Sequence, residues 1–228
     1  MMGKTPRDPV VVSTLVGIAA GIVAFVVIAF AVNAGSTQRT DDELLRSLRQ
    51  PEDLERPIGP AWLPEVGRDL TALGGVAGLC LLTLAIAGYL LMCRKYRALG
   101  FLAAATLGGL LLSTGLKDMF SRPRPTVVPH LSYVATSSFP SGHSMLSATV
   151  YLTLGFLLAS LVAERLLKVY FVLAALLLTL LVGISRVYMG VHYPTDVLAG
   201  WCAGLTWALT CALMARWLRQ RGMVEKIE

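Results

Sequence analysis

Charged residues are scarce in this chain: Asp, Glu, Lys and Arg make up only 15% of its 228 residues. Soluble domains carry about 25% charged residues and about 45–50% apolar ones, whereas the apolar share here is 55%. So few charges do not cover a water-exposed surface, which excludes an ordinary soluble domain. The same figures exclude a disordered chain, which requires low hydrophobicity and high charge.

Cysteine and histidine are also few, with four and three residues respectively. The cysteines lie within or at the ends of apolar stretches and form no CxxC pair; they are Cys80, Cys93, Cys202 and Cys211. This distribution indicates neither a disulfide framework nor a zinc site. The chain also lacks internal repeats, low-complexity tracts and a second, polar domain.

What the chain does have is six long apolar stretches, at about 10–32, 70–93, 98–116, 145–163, 169–184 and 197–215. A helix needs ~20 apolar residues to cross the ~30 Å hydrocarbon core of a bilayer. We therefore predict an all-α, polytopic membrane protein with six transmembrane helices in a single domain, 1–228. A secretory signal is an alternative for the first stretch, but its apolar core exceeds the usual ~7–15 residues, which favours a membrane anchor.

Residues 33–69 contain five arginines and eight acidic residues, and are therefore net negative. This pattern predicts a solvated external cap with a short amphipathic helix near Asp41–Leu48. If both chain termini are cytoplasmic, eleven Lys and Arg residues lie on the cytoplasmic side and nine on the opposite side. Five of those nine belong to the cap, so the positive-inside rule favours this orientation.

The four remaining basic residues lie at helix ends on the external face; they are Lys117, Arg122, Arg124 and Arg186. They belong to three segments, 117–125, 140–143 and 185–196, which the six-span topology places on one side of the bilayer. Ionisable groups are costly in or near lipid and mark a functional site by default. The basic residues behind the net charge of +6 therefore fall into two groups: most lie in the cytoplasmic segments and set the topology, and the rest form this cluster. Nucleic acid is not a predicted partner.

The external cluster suits phosphate chemistry. Lys117, Arg124 and Arg186 complement a phosphoryl dianion, which arginine binds in a two-pronged fork. Ser141, Gly142 and His143 open the fourth helix, where free backbone N–H groups and the helix dipole attract an anion. These residues are the predicted phosphate-binding groups.

His192 and Asp196 are spaced i,i+4, so one helical turn would bring the carboxylate to the imidazole. An aspartate that holds one ring nitrogen orients the other as a nucleophile or base, and His143 is then free to act as a general acid. Arg122 and Ser185 are further candidates for phosphate contact or support. Asp118 balances the charge of Lys117, and His130 is expected to be merely exposed.

A metal site built from His143, His192 and Asp196 is an alternative, but three nearby cations would repel the ion and carboxylates are few. We therefore predict no metal and no cofactor.

The pattern Lys-x6-Arg-Pro, Pro-Ser-Gly-His and Ser-Arg-x5-His-x3-Asp spans residues 117–196. It resembles the three-part signature of the type 2 phosphatidic acid phosphatase superfamily. The six-span layout is similar to the integral-membrane branch, which includes bacterial phosphatidylglycerophosphate and undecaprenyl pyrophosphate phosphatases. Residues 1–115 match nothing diagnostic beyond two spans and a loop. Vanadium haloperoxidases share the superfamily but are in general soluble, which disfavours that activity.

The resemblance implies a metal-independent phosphatase that works through a phosphohistidine. His192 would attack phosphorus, Asp196 would orient it, and His143 would protonate the leaving group. The implied substrate is a lipid phosphate or pyrophosphate held in the bilayer, of the phosphatidic acid, phosphatidylglycerophosphate or undecaprenyl pyrophosphate class. The resemblance also implies a bacterial inner membrane with a periplasmic active site.

Two other functions stay open. One is a phosphotransferase that passes the phosphoryl group to an acceptor lipid, and the other is a non-catalytic anion or lipid transporter. The lipid itself and the oligomeric state are not predicted.

Overall fold

The computed structural model describes residues 8–134 and 136–220. Over these residues the chain forms eight helices and one two-stranded antiparallel sheet, so the predicted all-α class is confirmed. The elements are α1 (Pro9–Asn33), α2 (Gln38–Ser47), β1 (Arg49–Gln50), β2 (Asp53–Pro57), α3 (Leu63–Leu73), α4 (Val76–Met92), α5 (Tyr96–Met119), α6 (Gly142–Leu161), α7 (Arg165–Tyr188) and α8 (Pro194–Gln220).

Five of these helices (α1, α5, α6, α7 and α8) are long and apolar enough to cross a membrane, and α3 with α4 makes a sixth if counted as one bent span. Large apolar side chains on their outer faces are exposed, among them Phe30, Leu111 and Leu166. Such a surface is suited to lipid rather than water. Helix α7 is longer than the predicted 169–184 because it continues at both ends through charged residues, Arg165 and Arg186.

The second apolar stretch is not one straight helix. It begins within the predicted cap as α3, breaks after Leu73, and resumes as α4 at an angle of 48°. A Cβ on Gly74 would lie 2.2 Å from Val182 Cγ1, so glycine is required for this close approach to α7. The Tyr151 hydroxyl donates to the Leu73 carbonyl at 2.8 Å, which satisfies an acceptor that the break leaves free.

Helix α6 is the most buried of the candidate spans and packs against α7 and α8. A Cβ on Gly200 of α8 would lie 2.7 Å from the Ser141 carbonyl oxygen at the start of α6. Glycine at such a crossing lets two membrane helices approach closely. The close approach brings the first turns of α6 and α8 side by side.

The cap consists of α2, the β1–β2 hairpin and the start of α3. Leu45 of α2 is fully buried and packs with Val128 and Tyr193, so α2 is seated on the loops at the end of the bundle. The Arg49 guanidinium, also buried, donates to the carbonyl of Tyr188 at the end of α7 at 3.0 Å. The amphipathic helix near Asp41–Leu48 thus lies at Gln38–Ser47, starting three residues earlier than predicted.

Candidate active site

The three motif segments meet at one end of the helix bundle. This end contains the last turns of α5 and α7 and the first turns of α6 and α8. Hydrogen bonds join the segments directly: the Ser141 backbone N–H donates to the Asp196 carbonyl at 3.0 Å, and Arg124 Nη1 donates to the Val191 carbonyl at 2.7 Å. The structure therefore brings the predicted residues into one cluster.

His192 and Asp196 are adjacent, with Nδ1 and Oδ2 3.5 Å apart. Their spacing is not that of two residues on one helix, since α8 begins only at Pro194 and His192 lies in the preceding loop. Asp196 instead accepts from the backbone N–H of Tyr193 at 2.9 Å, as the acidic residue of a capping box does. Pro194 disfavours helical backbone at Tyr193, the residue before it, which favours a helix start at Pro194 and leaves His192 in the loop.

Asp196 is fully buried, and each of its carboxylate oxygens has a further partner. The Ser138 hydroxyl donates to Oδ2 at 2.5 Å, and Arg122 Nη1 donates to Oδ1 at 2.7 Å. Ser138 was not among the residues predicted from the motifs; its one sequence signal is its position three residues before Ser141, between the first two motifs. The carboxylate is thus held rigidly as well as charge-balanced.

Arg124 defines which nitrogen of His192 is free to react. Arg124 Nη1 lies 3.2 Å from His192 Nε2, and a guanidinium has donors only, so Nε2 must be the acceptor. The ring hydrogen is therefore assigned to Nδ1, which faces Asp196 Oδ2 and lies 3.4 Å from Ser138 Oγ. This is the tautomer in which Nε2 carries no hydrogen and keeps the lone pair that a nucleophile needs.

Burial lowers the pKa of His192 to about 4, and although Asp196 acts in the opposite direction, Arg124 and Arg186 add to the decrease. The imidazole is consequently neutral near pH 7. Burial likewise lowers the pKa of Arg124 from its ordinary value.

The basic residues of the cluster differ in how they are partnered. Lys117 Nζ donates to the Ser137 carbonyl at 3.0 Å, and Arg124 Nε donates to the Thr136 carbonyl at 2.8 Å. Arg186 is only 2% exposed, and its guanidinium makes no hydrogen bond to any other residue in the described part of the chain. A buried cation without a partner is costly, so Arg186 is suited to receive an anion.

The start of α6 lies beside these cations. Ser141 is the N-cap of α6 and accepts from the Ser144 N–H at 3.4 Å. A Cβ on Gly142 would lie 3.0 Å from Lys117 Cε, so the glycine leaves room for the lysine to cross the helix start. His143 is half-buried and lies within electrostatic range of Arg186, His192 and Lys117.

The other residues named from the sequence, the candidates Ser185 and Arg122 and the non-candidates Asp118 and His130, make different contacts or are exposed. The Ser185 hydroxyl is 2.7 Å from Thr71 Oγ1 and also donates to the Val182 carbonyl, so it joins α7 to α3. Arg122 is directed at carboxylates and not at the other cations. Asp118 is exposed, and the exposed His130 has Nε2 2.6 Å from the Pro125 carbonyl oxygen.

No group of three or more His, Cys, Asp or Glu side chains placed to hold a metal ion occurs within residues 8–134 and 136–220. The fold and the cluster together define a multi-span membrane protein that presents an oriented histidine among buried cations.

Residues 97–220, more than half of the chain, match the PAP2 superfamily. The chain belongs to this superfamily, and to its integral-membrane branch, which confirms the resemblance drawn from the three motifs.

Curated relatives and a solved structure agree with this assignment. The chain is 34% identical over 187 residues to phosphatidylglycerophosphatase B of Bacillus subtilis, covering 79% of this chain and 86% of the relative. It is 28% identical over 149 residues to undecaprenyl-diphosphatase of Sulfolobus acidocaldarius, covering 63% of this chain and 66% of the relative. The crystal structure of a transmembrane PAP2-type phosphatidylglycerolphosphate phosphatase from Bacillus subtilis superposes with a TM-score of 0.74 at 29% identity, covering 92% of this chain and 98% of that one. These relatives are phosphatases of lipid phosphates, as predicted for this chain.

Proposed function

We propose that this protein hydrolyses a phosphomonoester or pyrophosphate from a membrane lipid through a phosphohistidine on His192. The proposal rests on the two contacts of the His192 ring: Nδ1 lies 3.5 Å from Asp196 Oδ2, and Nε2 lies 3.2 Å from Arg124 Nη1. One side of the ring is oriented by a carboxylate, and the other side faces a cation that attracts phosphate.

In the first step, His192 Nε2 attacks phosphorus while the bond from phosphorus to the lipid oxygen breaks. The protonated form of His143 gives a proton to the departing oxygen and becomes neutral. Asp196 orients the ring and balances the charge that His192 acquires when the phosphorus–nitrogen bond forms. In the second step, water attacks phosphorus, His143 takes a proton from it, and phosphate leaves His192 neutral.

The groups that would hold the phosphoryl oxygens are Lys117, Arg124, Arg186 and the N–H groups of Gly142 and His143. The N–H of Ser141, expected from the sequence to join them, instead donates to the Asp196 carbonyl. Lys117 and Arg124 are hydrogen-bonded to the neutral carbonyls of Ser137 and Thr136, and a phosphoryl anion is a stronger partner than a carbonyl. Cations aimed at the charge of the transition state are the expected source of most of the acceleration.

The position of the cluster at the end of the spans suits a substrate whose tail stays in lipid while its headgroup meets the cations. We infer that this end faces the periplasm of a bacterium and that the protein lies in the inner membrane with both termini cytoplasmic. The charge distribution between the loops supports this orientation.

The test is phosphate release by purified protein in lipid nanodiscs with EDTA present. The panel contains phosphatidic acid, phosphatidylglycerophosphate, undecaprenyl pyrophosphate and diacylglycerol pyrophosphate. We expect turnover of at least one lipid, its loss in His192→Ala and in His143→Ala, and its retention in His130→Ala, the matched control at the exposed third histidine. Retained turnover in purified His192→Ala would refute the mechanism.

Two further measurements distinguish the phosphatase from the two alternative functions. Mass spectrometry of products with a second lipid present would reveal a phosphotransferase as a phosphorylated acceptor. A transporter would instead move labelled anion across proteoliposomes without releasing phosphate from any lipid.

A further inference from the structure

Arg122 connects the external cap to the proposed catalytic pair through two buried carboxylates. Its Nη1 donates to Asp196 Oδ1 at 2.7 Å and its Nη2 donates to Asp41 Oδ2 at 2.8 Å. The side chains of Arg122, Asp41 and Asp196 are 8%, 2% and 0% exposed. A buried ion pair is strongly sensitive to loss of one partner, because the remaining charge stays buried without compensation.

Arg122 and His192 contact opposite oxygens of the same carboxylate. Arg122 holds Oδ1, whereas His192 faces Oδ2. The guanidinium also stacks on the ring of Tyr193, 4.0 Å from its centroid. Rotation of the Asp196 carboxylate toward or away from His192 is therefore resisted from the side that faces the cap.

Asp41 binds not only Arg122 but also the first turn of α8. Its Oδ2 accepts from the Thr195 hydroxyl at 2.6 Å, and its Oδ1 accepts from the Thr195 backbone N–H at 3.2 Å. That N–H belongs to the first turn of α8, where backbone donors lack partners within the helix and a negative charge is favoured. Leu45, four residues after Asp41 on the same face of α2, is fully buried and secures the helix against Tyr193.

We propose that Asp41 and Arg122 are positioning residues, through which cap helix α2 holds the Asp196 carboxylate in the orientation that His192 requires. The inference rests on the proposed role of His192 as nucleophile. It assigns α2 a part in catalysis, although none of its residues belongs to the three motif segments and the helix ends at Ser47, well before the first of those segments begins at Lys117.

Steady-state kinetics in nanodiscs test this with Asp41→Asn, which keeps the shape of the side chain and removes its charge. We expect kcat to fall about 10- to 100-fold with KM little changed, as for a small misplacement of a reacting group. Glu43→Gln is the matched control: it removes a charge from the same helix at an exposed position whose one ion pair within the described residues is with Arg39, and we expect wild-type kinetics.

Arg122→Lys keeps the charge but cannot bridge two carboxylates as the planar fork does, so we expect a loss of kcat similar to that of Asp41→Asn. Asp41→Glu, which retains the charge, is expected to recover part of the rate. Ring nitrogen resonances of ¹⁵N-histidine-labelled protein report on His192 without turnover. We expect them to shift in Asp41→Asn and to stay in place in Glu43→Gln.

The outcomes separate this inference from the proposed function. If His192→Ala is inactive while Asp41→Asn and Arg122→Lys match Glu43→Gln in kcat and in the His192 resonances, positioning by the cap is refuted and the phosphatase mechanism stands. If His192→Ala keeps its activity, the mechanism itself fails. A uniform loss of folded protein in Asp41→Asn with unchanged kcat per folded molecule would also overturn the positioning role.

Discussion

Ser138 Oγ lies 2.5 Å from Asp196 Oδ2, a full ångström closer than His192 Nδ1 is to the same oxygen. The hydroxyl is also 3.4 Å from His192 Nδ1, so it contacts both members of the proposed catalytic pair. All three groups are buried.

Ser138→Ala is expected to reduce kcat/KM without loss of folded protein. A hydrogen bond to a charged group is worth about 1.5–3 kcal/mol, which corresponds to roughly a 10- to 100-fold loss if the bond serves the transition state. The assay is phosphate release from the preferred lipid. Ser132→Ala, the same change in the same loop, serves as control, and equal rates in the two variants would contradict the role given to Ser138.

The titration of His192 is a second test. Its pKa is lowered to about 4, chiefly by burial, from an ordinary value of 6.5. We expect a ¹⁵N-histidine titration in nanodiscs to show a neutral ring with hydrogen on Nδ1 at pH 6. The His192→Asn variant identifies the resonance. A midpoint near 6.5 would contradict the buried, neutral state.

The lowered pKa of His192 also determines how the stability of the fold depends on pH. Since the folded value is below the unfolded one, the unfolded chain binds the proton first as the pH falls. The contribution of neutral His192 to stability is therefore complete above about pH 6.5 and declines between there and about pH 4. Thermal unfolding of His192→Asn is expected to depend less on pH across that interval than unfolding of the wild type.

The fold class and the clustering of the motif residues could be predicted from the sequence because both depend on strong local signals. Length and hydropathy define spans, and charges at helix ends such as Lys117 and Arg186 are conspicuous against so apolar a chain. The bend at Gly74 was not predicted, since it depends on contact with Val182 of a distant helix. Ser138 and Asp41 were missed for a similar reason: serine and aspartate in polar segments are ordinary until the fold places them on Asp196 and Arg122.

Arg186 offers a test that separates binding from stability. Its guanidinium is buried and makes no hydrogen bond to the rest of the described chain, so Arg186→Met removes an uncompensated charge from the interior. We expect the thermal midpoint of the ligand-free protein to stay the same or rise. The inhibition constant of vanadate, a phosphate mimic, should increase roughly 10- to 100-fold, as for loss of a charge-assisted hydrogen bond.

Arg39→Gln in the exposed part of the cap is the control for the Arg186 substitution, because it removes a positive charge without touching the site. If vanadate inhibits Arg186→Met as strongly as it inhibits Arg39→Gln, Arg186 does not bind the phosphoryl group.

The crossing of α6 and α8 provides the last prediction. A Cβ on Gly200 would lie 2.7 Å from the Ser141 carbonyl oxygen and 3.0 Å from Ser144 Cβ, so Gly200→Ala forces the two helix starts apart. Overpacking of this kind costs about 1–3 kcal/mol. We expect a lower thermal midpoint together with reduced kcat, because Ser141 and Asp196 stand on the two helices that separate. Gly100→Ala on α5 is the matched control, since a Cβ there meets nothing within 4 Å and alanine favours the helix. If Gly200→Ala unfolds at the same temperature as Gly100→Ala and retains full activity, this helix contact does not hold the site together.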